Sequence, residues 1–204
     1  MTQYIHLLTN SGIGLPTDLW VPSTAMIRPQ KSVQYAMGMV YEVKDGLELS
    51  VEGYYKTMDN LIEYKEGASF FSFGGGWEDK LEFGEGEAYG FEFLVRKQTG
   101  NTTGWIGYTL SWSNRRFDNI SFGEWFPYRY DRRHDISVVL MQKIKENIDL
   151  GVTWVYGTGN AVTLPLEKYG GLNSFWNNYT YFDGYEHFEH RNNYRMPAYH
   201  RLDI

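Results

Sequence analysis

The chain has 204 residues, 42% of them apolar and 18% aromatic, with no cysteine and a net charge of −6 at pH 7. The missing cysteines exclude disulfide frameworks, cysteine-ligated metals and thiol nucleophiles. An acidic balance with no basic stripe leaves nothing to neutralise phosphates, so nucleic acid is not an expected partner.

The elements in chain order are strands, because apolar residues recur with period 2 and almost never with period 3.6. From Val33 to Lys44, Val33, Tyr35, Met37, Met39, Tyr41 and Val43 share one face and Gln34, Ala36, Gly38, Glu42 and Lys44 the other. Asp45-Gly46 supplies the positive φ angles of a tight hairpin. The return strand sets Leu47, Leu49, Val51 and Tyr55 against Glu48, Ser50, Glu52 and Lys56. Tyr89, Phe91, Phe93 and Val95 then oppose Gly90, Glu92 and Arg96, and Ile106, Tyr108, Leu110 and Trp112 oppose Gly107, Thr109, Ser111 and Ser113. Ile136 to Met141 reads as apolar on both faces. Ile148, Leu150, Val152, Trp154 and Tyr156 alternate with Asp149, Gly151 and Thr153.

With partial strands at the two ends this makes about eight. Their connections alternate in length. Thr9 to Ser32, Asn60 to Gly86, Asn114 to Arg133 and Thr158 to Pro197 are about 20 to 40 residues each, whereas Asp45-Gly46, Thr99 to Thr103 and Lys143 to Asn147 are short. An up-and-down meander therefore gathers its long loops at one end. Soluble sandwiches have shorter strands and mix loop lengths at both ends. Long strands, short turns on one side, long loops on the other and an apolar outer face are the pattern of outer-membrane barrels. A polar face of Gly, Ser, Ala and Thr with Glu, Lys and Arg suits a wet or plugged lumen better than a dry core. Tyr35, Tyr54, Tyr55, Tyr89, Trp112, Trp154 and Tyr156 lie near strand ends, either as interfacial girdles or through the ordinary preference of aromatics for strands.

The stretch YRYDRRHDISVVL, from Tyr128 to Leu140, is the junction where a long loop enters the wall. Its charges from Asp131 to Asp135 are expected at the outer rim, with Arg132, Arg133 and His134 meeting lipid phosphates, pairing with acids inside the mouth, or simply lying in solvent.

The segments LPTDLWVPSTAMIRPQKSVQYAMG, VEGYYKTMDNLIEY, GEGEAYGFEFLVRKQTGNTTGWIGYTLSWSNRRF, FGEWFPYRYDRRHDIS, TWVYGTG and PAYHRLDI resemble, in order, the C-terminal half of the barrel of TonB-dependent outer-membrane receptors. The resemblance covers nearly the whole chain. It implies an all-β, antiparallel, up-and-down transmembrane barrel of about 22 strands. Residues 1–204 would supply about eight of them. It also implies a location in the outer membrane of a Gram-negative-type bacterium and TonB-energised uptake of a scarce ligand of undetermined class. The expected partners are outer-membrane lipid, the receptor's own plug domain, TonB acting through a region ahead of the plug, and a small ligand. No signal peptide, plug, TonB-contacting segment or final aromatic-ended strand is read in this chain, so a partial barrel is expected. Two other readings stay open. One is a complete eight-stranded outer-membrane anchor or adhesin. The other is a soluble, aromatic-rich, glycan-binding β domain.

Catalytic motifs are not found: HExxH, GxSxG and P-loop patterns are absent, so neither an enzyme nor a cofactor is expected. Glu186-His187 and Glu189-His190 offer a metal pair or a solvated loop tip, and the first reading lacks a helix to fix ligand geometry. Gly84, Gly86 and Gly90 echo a dinucleotide loop by spacing alone and are better read as a loop-to-strand entry. The long connections carry Trp77, Trp125, Tyr128, Trp176, Tyr179, Tyr181 and Tyr185, the candidates for ligand contact through their large π faces. Packing of the loops against one another would explain the same residues.

Overall fold

The computed structural model describes residues 1–9, 18–44, 46–66, 68, 76–170, 184–187 and 190–204. The chain opens with β1 (Thr2–Gln3), leaves for a hairpin of β2 (Ile5–Leu8) and β3 (Leu19–Pro22), and returns as β4 (Gln30–Lys44) and β5 (Leu47–Tyr64). A helical turn at Glu78–Lys80 leads into β6 (Leu81–Lys97) and then β7 (Thr102–Phe117). Another turn at Ser121–Gly123 and β8 (Phe126–Pro127) precede β9 (His134–Lys145) and β10 (Ile148–Gly157). The last connection carries β11 (Ala161–Val162), β12 (Glu167–Gly170), β13 (Gly184–His187) and β14 (Tyr194–Arg195) ahead of β15 (Tyr199–Asp203).

These elements form an all-β molecule built on one antiparallel sheet. Its order is β1-β4-β5-β6-β7-β9-β10-β15, the expected up-and-down sequence of eight, with β8 alongside β7. The sheet is open. Among the described residues no pairing joins β15 to β1, and β4 beyond Ser32 has its ladder partners in β5 alone. Gly46 supplies the expected positive φ, 77°, at the first short turn, while Asp45 lies outside the described residues.

Two expectations about strand ends are corrected. The connection expected over Asn60 to Gly86 is shorter, because β5 continues to Tyr64 and β6 begins at Leu81. Asn60 is the cause: at φ 58° it forms a bulge, so that Asp59 pairs with Glu85 but Leu61 with Gly84. A bulge shifts the side-chain period by one, and Leu61-Ile62-Glu63-Tyr64 therefore loses the alternation that marks a strand. The glycines Gly84, Gly86 and Gly90 consequently lie within β6, not at its entry. A Cβ on Gly90 would stand 2.5 Å from the Leu110 carbonyl oxygen, so the glycine is required by the approach of β7.

Register divides the sheet into two faces. One carries the rows Tyr35-Tyr55-Tyr89-Trp112, Met39-Val51-Phe93-Tyr108-Ile136-Tyr156 and Tyr41-Leu49-Val95-Ile106-Val138-Trp154. The other carries Gly38-Glu52-Glu92-Thr109-Asp135 and Glu42-Glu48-Arg96-Trp105-Val139-Thr153. Tyr54 pairs with Ala36 and Gly90 and so belongs to this second face, apart from the other aromatics with which it was grouped. Parity alone decides that.

The packed core is not in the middle of the sheet. Leu8, Ile27, Ile62, Tyr64 and Leu81 form one buried cluster, and Leu61, Phe117, Ile120 and Phe126 another, both at the end of the long connections. Toward the short turns both faces of the strands are open, and Met37, Met39 and Tyr41 are 84%, 66% and 61% exposed.

Candidate functional site

The connections at the loop end converge on two buried carboxylates. Beyond the Asn60 bulge, Glu63 faces the same side as Gly84, as do Ser113 and Arg115 of β7. The Glu63 side chain is only 4% exposed. It accepts hydrogen bonds from Arg115 Nη1 at 3.3 Å, Arg191 Nη2 at 3.2 Å and, more weakly, Thr9 Oγ1 at 3.5 Å. Arg191 also donates to the Tyr64 carbonyl at 3.1 Å, and its backbone N–H donates to Ser121 Oγ at 2.8 Å.

Asp131 is the second centre, with a side chain 1% exposed. Its Oδ1 accepts the Ser113 N–H at 2.8 Å, and its Oδ2 receives Arg133 at 3.4 Å and Arg195 in a shorter contact. Ser113 and Arg115 are successive positions on one face of β7, about 7 Å apart. The two carboxylates and four guanidiniums therefore form one continuous polar core. Burial of such charges is tolerated only when every one is paired and hydrogen-bonded.

Aromatics line this core. The Arg115 guanidinium stacks 3.5 Å from the centroid of Tyr128, which meets Tyr130 edge to face at 5.5 Å. Burial pushes the Tyr128 phenol above its ordinary value, and Arg115 opposes the shift. Burial, followed by a hydrogen bond to the Asp18 carboxylate and that group's charge, pushes Tyr130 up to about 12. Both phenols are thus neutral hydrogen-bonding groups at physiological pH. Arg133, while paired with Asp131, also lies 4.7 Å from the Trp112 ring centroid, and Tyr108 Oη bonds His134 Nδ1 at 2.9 Å.

Of the ligand-contact candidates, Trp77, Trp125 and Tyr128 are not gathered into one site. Trp77 packs against the cluster of Leu8, Ile27, Ile62, Tyr64 and Leu81. Trp125 is half-exposed beneath Arg116, whose guanidinium is 5.1 Å from its ring centroid. Among the candidates whose side chains are described, Tyr128 alone joins the polar core. Trp176, Tyr179 and Tyr181 lie outside the described residues, and Tyr185 is placed by its backbone opposite Tyr169 in the β12–β13 hairpin. Glu189 of the suggested metal pair is also outside them, His190 stands 3.7 Å from Glu124, and no acid–histidine group among the described residues is arranged to hold a metal.

At the junction of Tyr128 to Leu140 the solvated alternative fails for Asp131. Asp131 is not a solvated loop residue but the most buried acid of the stretch, paired with Arg133 at 3.4 Å, while Arg132 and Asp135 pair with each other at 3.6 Å in solvent. Sequence reasoning passed over Glu63, Arg115, Arg191 and Arg195. The one available signal was Glu63 itself, a lone acid inside the apolar run LIEY.

Among the described residues the chemistry of the site is that of guanidiniums, aromatic faces and paired acids. No protein-family model matches the chain, no curated protein matches its sequence, and no solved structure matches its fold.

Proposed function

We propose that the sheet is part of the wall of a transmembrane β-barrel in the outer membrane of a Gram-negative-type bacterium, belonging to a TonB-dependent receptor that takes up a scarce ligand. The observation that carries this reading is the order of residues down the apolar face of β4 to β7. Register first sets a charged row, Lys31-Asp59-Glu85-Arg116, then a mostly polar one, Val33-Thr57-Glu87-Asn114, and then the aromatic row Tyr35-Tyr55-Tyr89-Trp112. Below these come Met37-Gly53-Phe91-Leu110, Met39-Val51-Phe93-Tyr108 and Tyr41-Leu49-Val95-Ile106. Water, interface and hydrocarbon ask for that order.

Dimensions agree with it. Eight residues separate Tyr55 from Leu47 on β5, about 27 Å along a strand. At the tilt of about 40° usual in such barrels this is about 20 Å along the membrane normal, near the height of an apolar band. Exposed rows of Met, Phe, Val and Leu weigh against a sheet in water, where so large an apolar area would be a liability. The open edge of β4 requires a further strand, because unpaired backbone groups in lipid cost several kcal/mol each. A plug domain, TonB and a small ligand are the partners that the family resemblance adds.

An epitope tag tests the orientation in cells making the full-length receptor. Inserted after Gly170, it is expected to be labelled by antibody on intact cells. Inserted beside Gly46, it is expected to be labelled only after the outer membrane is opened. Labelling at Gly46 on intact cells, or recovery of the tagged protein in the soluble fraction, would overturn the reading.

A further inference from the structure

We propose that residues 191–195 form a releasable strap over the loop end, fastened at two points by Arg191 and Arg195. The two arginines are carried on one short segment and enter different carboxylate sites, Glu63 and Asp131. The segment is bound to residues 159–164 of its own connection. Asn192 N–H donates to Thr163 Oγ1 at 3.0 Å, Asn193 exchanges side-chain bonds with Leu164 at 2.9 and 3.0 Å, Met196 N–H donates to the Asn160 carbonyl at 2.9 Å, and β11 pairs with β14. These two stretches make a small two-stranded body.

What fastens that body to the rest is almost wholly polar. Besides the two ion pairs there are Arg191 N–H to Ser121 Oγ at 2.8 Å, Arg191 Nη1 to the Tyr64 carbonyl at 3.1 Å, Asn192 Nδ2 to the Pro127 carbonyl at 2.8 Å and Ala161 N–H to the Arg129 carbonyl at 3.0 Å. Among its described residues, Ala161 and Val162 are the buried apolar ones. Water can replace polar fastenings at small net cost, whereas it cannot replace buried apolar area.

The decisive feature lies on the side left behind. Removing one partner of a buried ion pair is costly because the other stays buried and unpaired. Here each carboxylate has a second arginine that belongs to the sheet side: Glu63 keeps Arg115, and Asp131 keeps Arg133 and the Ser113 N–H. The strap can therefore leave with both its guanidiniums rehydrated and no orphaned acid beneath it. Doubling each arginine is what makes the closed form strong and the open form permissible. Release takes Arg191 away from the Glu63 carboxylate and leaves it to Arg115, the guanidinium that stacks on Tyr128. This inference does not depend on the membrane reading, because every contact it uses lies among the connections and strand ends.

Hydrogen exchange by mass spectrometry on the full chain in detergent micelles tests it, with Arg195→Gln and Arg191→Gln as separate variants. Each substitution is expected to speed exchange at both fastening points, at Arg191 and at Ala161, whose amides bond outside the body, by about tenfold or more, as one cooperative opening unit. The Ser113 amide, held by Asp131, is expected to keep its wild-type protection in both. Acceleration confined to the end that carries the substitution would show two independent contacts and overturn the strap. Loss of protection at Ser113 would show that the arginines hold the sheet itself together, and would overturn it equally. A variant that fails to fold gives that second result.

Discussion

The apolar rows of β4 to β7 and the polar core at the loop end invert the arrangement of a soluble protein. In the first region large apolar side chains are exposed: Phe91 is 52% and Phe93 44% accessible although they stand in the middle of the longest strands. In the second, carboxylates and guanidiniums are buried: Glu63 and Asp131 are 3% and 1% accessible. If the sheet is the membrane wall proposed above, the contrast teaches that burial follows the local solvent. A lipid-facing surface needs no apolar cover, whereas long connections folded on one another need their polar groups satisfied internally.

The largest effect expected from breaking this contrast comes from the charged side. Glu63→Ala would leave Arg115, fixed on β7, unpaired where its side chain is only 11% exposed, a loss of about 3 to 5 kcal/mol. Asp131→Ala would cost less, because Arg133 and Arg195 are about one-third exposed and rehydrate more readily. Denaturant unfolding in detergent measures both; equal losses would mean that burial of the arginines does not set the cost.

On the apolar side, Val51→Arg is expected to reduce assembly far more than Ser50→Arg. Val51 stands between Met39 and Phe93, whereas Ser50 stands between Val40 and Leu94 on the opposite face. A midplane arginine facing lipid costs about 2 to 4 kcal/mol, while one facing a wet lumen stays hydrated. Equal levels of the two variants in outer membranes would reverse the assignment of faces.

The smallest expected effect concerns His6, 1% exposed and 3.3 Å from Ser23 Oγ. Burial lowers its pKa, against a smaller opposing effect of a backbone hydrogen bond with Arg28. A depressed folded pKa means that the unfolded chain binds the proton more readily. The stabilising contribution is therefore present above the ordinary histidine value of about 6.5 and is lost as pH falls below it. Thermal melts from pH 7.5 to 5 should show a modest acid destabilisation that is smaller in His6→Gln. An unchanged slope in that variant would place the acid sensitivity elsewhere.

Period-2 alternation determined the all-β class, the order of the long strands and the membership of most rows, because side-chain parity along a strand is a local property. The alternation of long and short connections likewise placed every long loop at one end. Register was beyond its reach. Nothing local says that Tyr35, Tyr55, Tyr89 and Trp112 fall in one row beneath Lys31, Asp59, Glu85 and Arg116, since that depends on how four strands slide against one another. The bulge at Asn60 was hidden too, because a single positive φ reverses the faces of Leu61 to Tyr64 without leaving an obvious mark in the sequence. Least legible was the polar core. Thr9, Glu63, Arg115, Asp131 and the pair Arg191 and Arg195 come from five separate stretches, and apart from Glu63 each reads alone as an ordinary solvated residue. Only tertiary structure decides their burial, because a charge can leave water only where its counter-charges already stand.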